Sequence, residues 1–231
     1  MPLSTPAGLT SGSDTSGAAA ASASISPTSG GVVYVAVSYA VNAGAAPDTG
    51  SVSGNSLTWT QVATQTHGTR RRTYVFRGTG TATAGSVTMS YDPLGATWQE
   101  TKWSIFEITG QNTTTPNDAA QVASTAAATA LACPDVGTPD AGDLIIGAFA
   151  IESDNVTPAA DDGTTIHEVD EGASSQVRTL YTFYDADASD ETPSITWSGT
   201  NSAAGIGFIV NVAAAGGANP APSRLMTLGV G

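Results

Sequence analysis

The chain is short of almost every residue type on which solution chemistry depends. Of its 231 residues one is cysteine, two are histidine and seven are Lys or Arg. The single cysteine, Cys133, rules out an internal disulfide and a zinc site built on thiolates. Beside Pro134 in a strand-like stretch, it reads as a small buried apolar residue. Seven cations against 20 acids give a formal charge of −13 and a pI of about 4.1. That balance excludes the basic footprint which nucleic acid or an anionic membrane requires. Charged residues make up 12% of the chain, roughly half the usual share. Lys, Glu, Gln and Leu are scarce, so long solvent-facing helices are excluded as well. The longest apolar run, Val32 to Val41, is about half of what a helix needs to cross a bilayer. The start, Met1-Pro2-Leu3-Ser4-Thr5-Pro6, has neither a cationic head nor an apolar core. We therefore expect no secretory signal, and without secretion the sequons at Asn112 and Asn155 carry no weight.

What is present is Gly (26), Pro (12), Ala, Ser, Thr and Val, with 40% hydrophobic residues. This is the composition of an all-β domain with a real core. Period-2 runs bounded by turn residues mark strands over Ala18–Ile25, Val32–Val41, Leu57–Ala63, Arg72–Arg77, Ser86–Tyr91 and Lys102–Thr109. A second series follows over Ala126–Cys133, Leu144–Ile151, Thr165–Val169, Arg178–Tyr184, Ser194–Trp197 and Gly205–Val212. Turn clusters punctuate both, among them Pro27-Thr28-Ser29-Gly30-Gly31 and Pro139-Asp140-Ala141-Gly142. Arg72-Thr73-Tyr74 precedes Arg178-Thr179-Leu180 by 106 positions, Val87-Thr88 precedes Ile195-Thr196 by 108, and Glu107-Ile108 precedes Asn211-Val212 by 104. The near-constant spacing points to two tandem six-stranded repeats.

The expected fold is an antiparallel, jelly-roll-like β-sandwich over residues 18–212, with repeat one at 18–110, a polar linker at 111–125 and repeat two at 126–212. The weakly apolar first strand of each repeat favours one interleaved sandwich over two small ones. Residues 1–17 and 213–231 fall outside it as terminal arms. The second arm ends in an apolar tip of Leu225, Met226, Leu228 and Val230, suited to docking on a neighbouring subunit.

The residues point away from an enzyme. His67 stands in a Thr-His-Gly-Thr turn and His167 in a strand with Glu168, and neither has metal spacing. No Gly-x-Ser-x-Gly elbow and no phosphate loop occur. Glu107, amid Ile105, Phe106 and Ile108, is the most conspicuous acid, yet it has no partner at the separation a glycosidase needs. It reads instead as a carboxylate bonded to a nearby backbone or to Lys102. Calcium is the one cofactor with any basis: Glu152-Ser153-Asp154-Asn155, Asp161-Asp162-Gly163 and Asp185, Asp187 and Asp190 put hard oxygens in turns, the last without the glycine and closing Glu of an EF loop. Trp98, in a loop-like stretch, is the candidate glycan platform. Arg70, Arg71 and Arg72, with Arg77, form the candidate interface, either as a solvated edge or as a dock for an acidic neighbour.

Taken together, Ala21–Pro27 leading into Val32–Tyr39, then Leu57-Thr58-Trp59-Thr60-Gln61-Val62, Arg72–Phe76 and Trp103–Gly110, resemble the β-sandwich virion proteins of tailed bacteriophages and prophages. The resemblance implies a structural role on the particle, most readily capsid decoration, with the major capsid protein or neighbouring subunits as partners. It implies assembly in the host cytoplasm and no catalytic residues. The alternative is a carbohydrate- or receptor-binding module of the same fold.

The charge is distributed unevenly. Residues 1–110 hold five acids and five bases, whereas residues 111–231 hold fifteen acids and only Arg178 and Arg224. The entire −13 lies in the second half.

Overall fold

The computed structural model describes residues 2–15, 17, 19–92, 99–152, 156–170, 179–186 and 191–213. Every regular element among them is a β-strand, and every ladder is antiparallel. The first half contributes β1 (Ala7–Asp14), β2 (Ala19–Ala21), β3 (Val32–Val41), β4 (Gly50–Gly54), β5 (Thr58–His67), β6 (Arg71–Thr79), β7 (Val87–Tyr91) and β8 (Gln99–Ile108). The second contributes β9 (Gln121–Ala132), β10 (Leu144–Ile151), β11 (Ala159–Ala160), β12 (Thr164–Asp170), β13 (Thr179–Asp185) and β14 (Ser194–Val210).

In the first half one sheet runs β1-β8-β3-β6-β5 and a smaller one runs β2-β7-β4. The nested pairs β1–β8, β2–β7 and β3–β6 are those of a jelly roll, with β5 added beside β6. The second half follows the same path. Its large sheet is β9-β14-β10-β13-β12. Beyond a break in register between Thr196 and Ala203, the far ends of β9 and β14 pair again, and β11 joins β14 there. Thus β9 does the work of β1 and β2, and β14 that of β7 and β8.

Local details correspond too. A single-residue bulge sits at Val62 in β5 and at Ile166 in β12, beside Phe76 and Phe183 respectively. The turns before β3 and β10 both close with a 3.0 Å bond, Gly31 N to Thr28 O and Asp143 N to Asp140 O. Each carries a positive-φ glycine at its third position, Gly30 (80°) and Gly142 (96°), a conformation that side chains with a Cβ resist.

The halves do not interleave. The expected single sandwich is two, because each half closes its own core. Odd-numbered Val33–Val41, with Tyr74, Phe76, Trp103 and Ile105, pack on Val87, Met89 and Tyr91 of the first small sheet. Phe149, Ile151, Tyr181 and Phe183 pack on Leu131, Ile195 and Trp197 of the second. The opposite faces of the two large sheets then meet. Tyr34, Ala36, Val75, Phe106 and Ile108 bury against Ile146, Ala148, Ile206 and Phe208. The molecule is therefore four layers deep, and β3 and β10 are buried on both faces along their whole length. An unbroken apolar run in a strand is the mark of that position. Each large side chain sealed in this way contributes roughly 1.5–3 kcal/mol.

Two expectations change. Residues 7–14, placed in an arm by composition, form the edge strand β1 along β8. The 106-residue alignment of Arg72 with Arg178 slips by one at Tyr74, because Tyr74 and Phe76 share an inner face with Tyr181 and Phe183, 107 positions on. A one-residue slip in a strand exchanges its faces. The C-terminal tip, with Leu225, Met226 and Leu228, lies outside the described residues.

Candidate functional site

Chemistry-bearing side chains concentrate in the seam between the two large sheets. Arg71 points from β6 into it, 8% exposed, and pairs with Glu152 just past the end of β10. The other Glu152 oxygen accepts from the Ser202 hydroxyl of β14. Next to them on β8, Glu100 and Lys102 are 1% and 0% exposed, with Nζ 3.8 Å from Oε1. Such ions leave water only with compensation nearby. Residues i and i+2 of a strand share a face, which puts this carboxylate and this ammonium together.

Both histidines of the chain lie here, on the corresponding strands β5 and β12. His167 Nδ1 is 2.9 Å from Ser104 Oγ of β8, and Ser104 Oγ is 2.8 Å from Thr182 Oγ1 of β13. His67 sits directly across the ladder from Arg71 and so shares its face. It is 2% exposed, and neither ring nitrogen has a hydrogen-bond partner. Burial, reinforced by the Arg71 charge, lowers its pKa from 6.5 to about 3. Burial also lowers that of His167. Both rings are therefore neutral at pH 7.

A serine bonded to a histidine invites a catalytic reading, which the geometry opposes. Ser104 is fully buried between the sheets and Gly8 of β1 lies against the His167 ring, so no substrate carbonyl reaches the hydroxyl. The group is a cross-link between lobes.

The interface arginines separate. Only Arg70 is exposed, and it donates to the Asn42 carbonyl at 2.7 Å. Arg71 is in the seam, Arg72 Nε donates to Thr66 Oγ1 at 3.0 Å, and Arg77 donates to Asn117 Oδ1 of the linker at 2.6 Å. Within the chain, the acidic partner of Arg71 is Glu152.

Of the calcium candidates, Asp161 and Asp162 are exposed on the turn before β12 and Asp185 is buried at the end of β13. Asp187 and Asp190 lie outside the described residues, as does Trp98. Among the described residues, no three or more His, Cys, Asp or Glu side chains are grouped to hold a metal ion. Glu107 is a clamp: its two oxygens accept from Thr28 N at 2.6 Å and Thr28 Oγ1 at 2.7 Å. Cys133 is buried, and its thiol is pushed up to about 12.

The linker end carries shallow cavities. One, of about 240 Å³, is lined by uncharged residues including Gly30, Thr79, Gly80, Gln111 and Pro116. Its one orphan acceptor, Gln111 Oε1, is sealed from solvent. A second, of about 300 Å³, holds Asp118, Asp140 and Asp143. Asp143 there binds the backbone N–H of Asp140 (2.9 Å) and Val212 (2.7 Å), and Asp118 accepts from Asn211 (2.8 Å). These carboxylates brace the last strand.

Sequence reasoning gave Glu152 to a calcium-type turn and passed over the seam position of Glu100 and of the two histidines. The available signal was a charge pair, Glu100 and Lys102, leading into a strand apolar on both faces. No family model, curated protein or solved structure matches this chain.

Proposed function

We propose that this chain is a structural protein of a bacteriophage particle, most readily one that decorates or reinforces the capsid. The observation that supports this reading best is the union of two jelly rolls through a buried seam. The jelly roll is a recurrent unit of viral coats, and two of them are fused here back to back through an apolar seam. The matching strand paths, bulges and turns support an origin by tandem duplication. The uneven charge gives the block a polarity, with one neutral and one strongly acidic half.

The partner is the major capsid protein or a neighbouring subunit, and the block is oligomeric on the particle. The test is mass spectrometry of gradient-purified particles from the source of this sequence. Stoichiometric presence of the chain, lost or weakened on truncation at residue 213, is the expected result. Absence from particles overturns the reading. So does specific binding on a glycan array that Trp98→Ala abolishes, since lectin domains share this architecture.

A further inference from the structure

The chain has two histidines, and the fold brings both into the one surface where its two lobes meet. They come from opposite lobes and from strands that occupy the same place in each jelly roll. Each sits in a polar group that crosses the seam: His67 beside Arg71, which holds Glu152, and His167 on Ser104. Near His67 the seam also carries Glu100 and Lys102 from β8, and the exposed Arg70 stands outside it beside Arg71. Around His167 stand Thr182 of β13, the backbone of Gly8 on β1, and the outward-facing Glu168 and Asp170 of its own strand.

We propose that the seam is an acid-released joint: protons taken up by His67 and His167 part the two lobes, while each lobe keeps its own core. The reason is the unequal footing of the two surfaces of each sheet. The inner cores hold aromatic and aliphatic side chains with no histidine among them. The seam holds every residue of the chain whose ordinary pKa lies near 6.5. An imidazolium at His67 would face Arg71 with no acceptor for either N–H, a buried and unpaired charge. At His167 a second ring proton fixes Nδ1 as a donor to Ser104, whose own hydroxyl is then held to Thr182, and leaves a charged ring in the seam. Parting the lobes returns both rings to water.

The sign follows. In the closed form His67 takes a proton only near pH 3, and in the parted form near 6.5. Acid therefore favours the parted form, by up to about tenfold per pH unit across that window for His67 alone.

The experiment uses the full chain carrying Ser51→Cys and Thr196→Cys, two exposed sites on the outer faces of the small sheets. They are labelled as a fluorescence donor and acceptor, which the buried Cys133 thiol does not take up. Transfer efficiency falls between pH 6.5 and 4 if the lobes part, while near-ultraviolet circular dichroism from the core residues Trp103 and Trp197 persists. His67→Met with His167→Gln moves the fall at least one pH unit lower. Should that variant fail to fold, the imidazole Hε1 resonances of the unsubstituted chain, one from each of its two histidines, report instead. His67 then titrates together with the loss of transfer. Constant transfer down to pH 4, simultaneous loss of transfer and dichroism, or a His67 resonance titrating while transfer is unchanged each overturns the proposal.

Discussion

Arg71 and Glu152, 81 residues apart, form an ion pair that ties the first jelly roll to the second. The arginine side chain is 10% exposed and the glutamate 37%, so the two ends of the pair are not equivalent. Removing the carboxylate takes the Glu152 bond from a nearly buried guanidinium. Removing the guanidinium leaves a carboxylate that water reaches. Glu152→Gln is therefore expected to cost about 1–3 kcal/mol, or a melting temperature several degrees lower at about 2–4 °C per kcal/mol. Arg71→Met, which keeps the packing of the stem, is expected to cost less. Thermal melts of both variants at pH 7 check the ordering, and a larger loss in Arg71→Met contradicts it.

Overall stability depends on pH through the same seam. The folded-state pKa of His67 lies below its unfolded value, so the unfolded chain takes up the proton first. Its contribution is intact above pH 6.5 and is lost as the pH falls toward 3, at up to about 1.4 kcal/mol per pH unit. His167 adds in the same direction. Urea unfolding at pH 7, 6, 5 and 4 measures the slope. His67→Met should flatten it and raise stability at pH 5; an unchanged slope counts against the assignment.

Two glycines of the second core stand under aromatic rings. A Cβ on Gly147 would overlap the Phe183 ring, and one on Gly205 the Phe149 ring. These rings stack at 5.9 Å between centroids and are sealed on all sides. Gly147→Ala and Gly205→Ala are each expected to cost about 1–3 kcal/mol by overpacking. Gly85→Ala, whose nearest neighbour would be 3.9 Å away, is the control and should be neutral or slightly stabilising. Calorimetric melting temperatures distinguish the three.

Cys133 is buried beneath Gly205 and Gly207, with its thiol pushed up to about 12 by desolvation. It is expected to resist a thiol-specific chromogenic reagent at pH 8 in the native chain and to react fully in denaturant. Rapid native-state reaction would show that the second core opens.

Much of this architecture was legible in the sequence. The alternation of apolar residues marked most of the strands, and the lack of helix-forming charged residues settled the class. The paired turns at Gly30 and Gly142 are visible as Pro-x-x-Gly clusters. Glu107 read as a clamp, and Thr28 is the residue it holds. The function of the arginine cluster was not legible, because Arg70, Arg71 and Arg72 look alike in sequence. Only the ladder with His67 shows which of them enters the seam.

The chain itself determined that it would be all-β, where its turns fall and which residues avoid water, since these follow from local sterics and from a side-chain period of two. Tertiary structure alone decided which sheet receives each apolar face. Alternation states that Val33 and Tyr34 point in opposite directions. It does not state that one packs in the core of its own lobe and the other meets Phe208 in the next. That choice depends on burying both faces of β3 and β10 at once, which one sandwich cannot do and two packed back to back can.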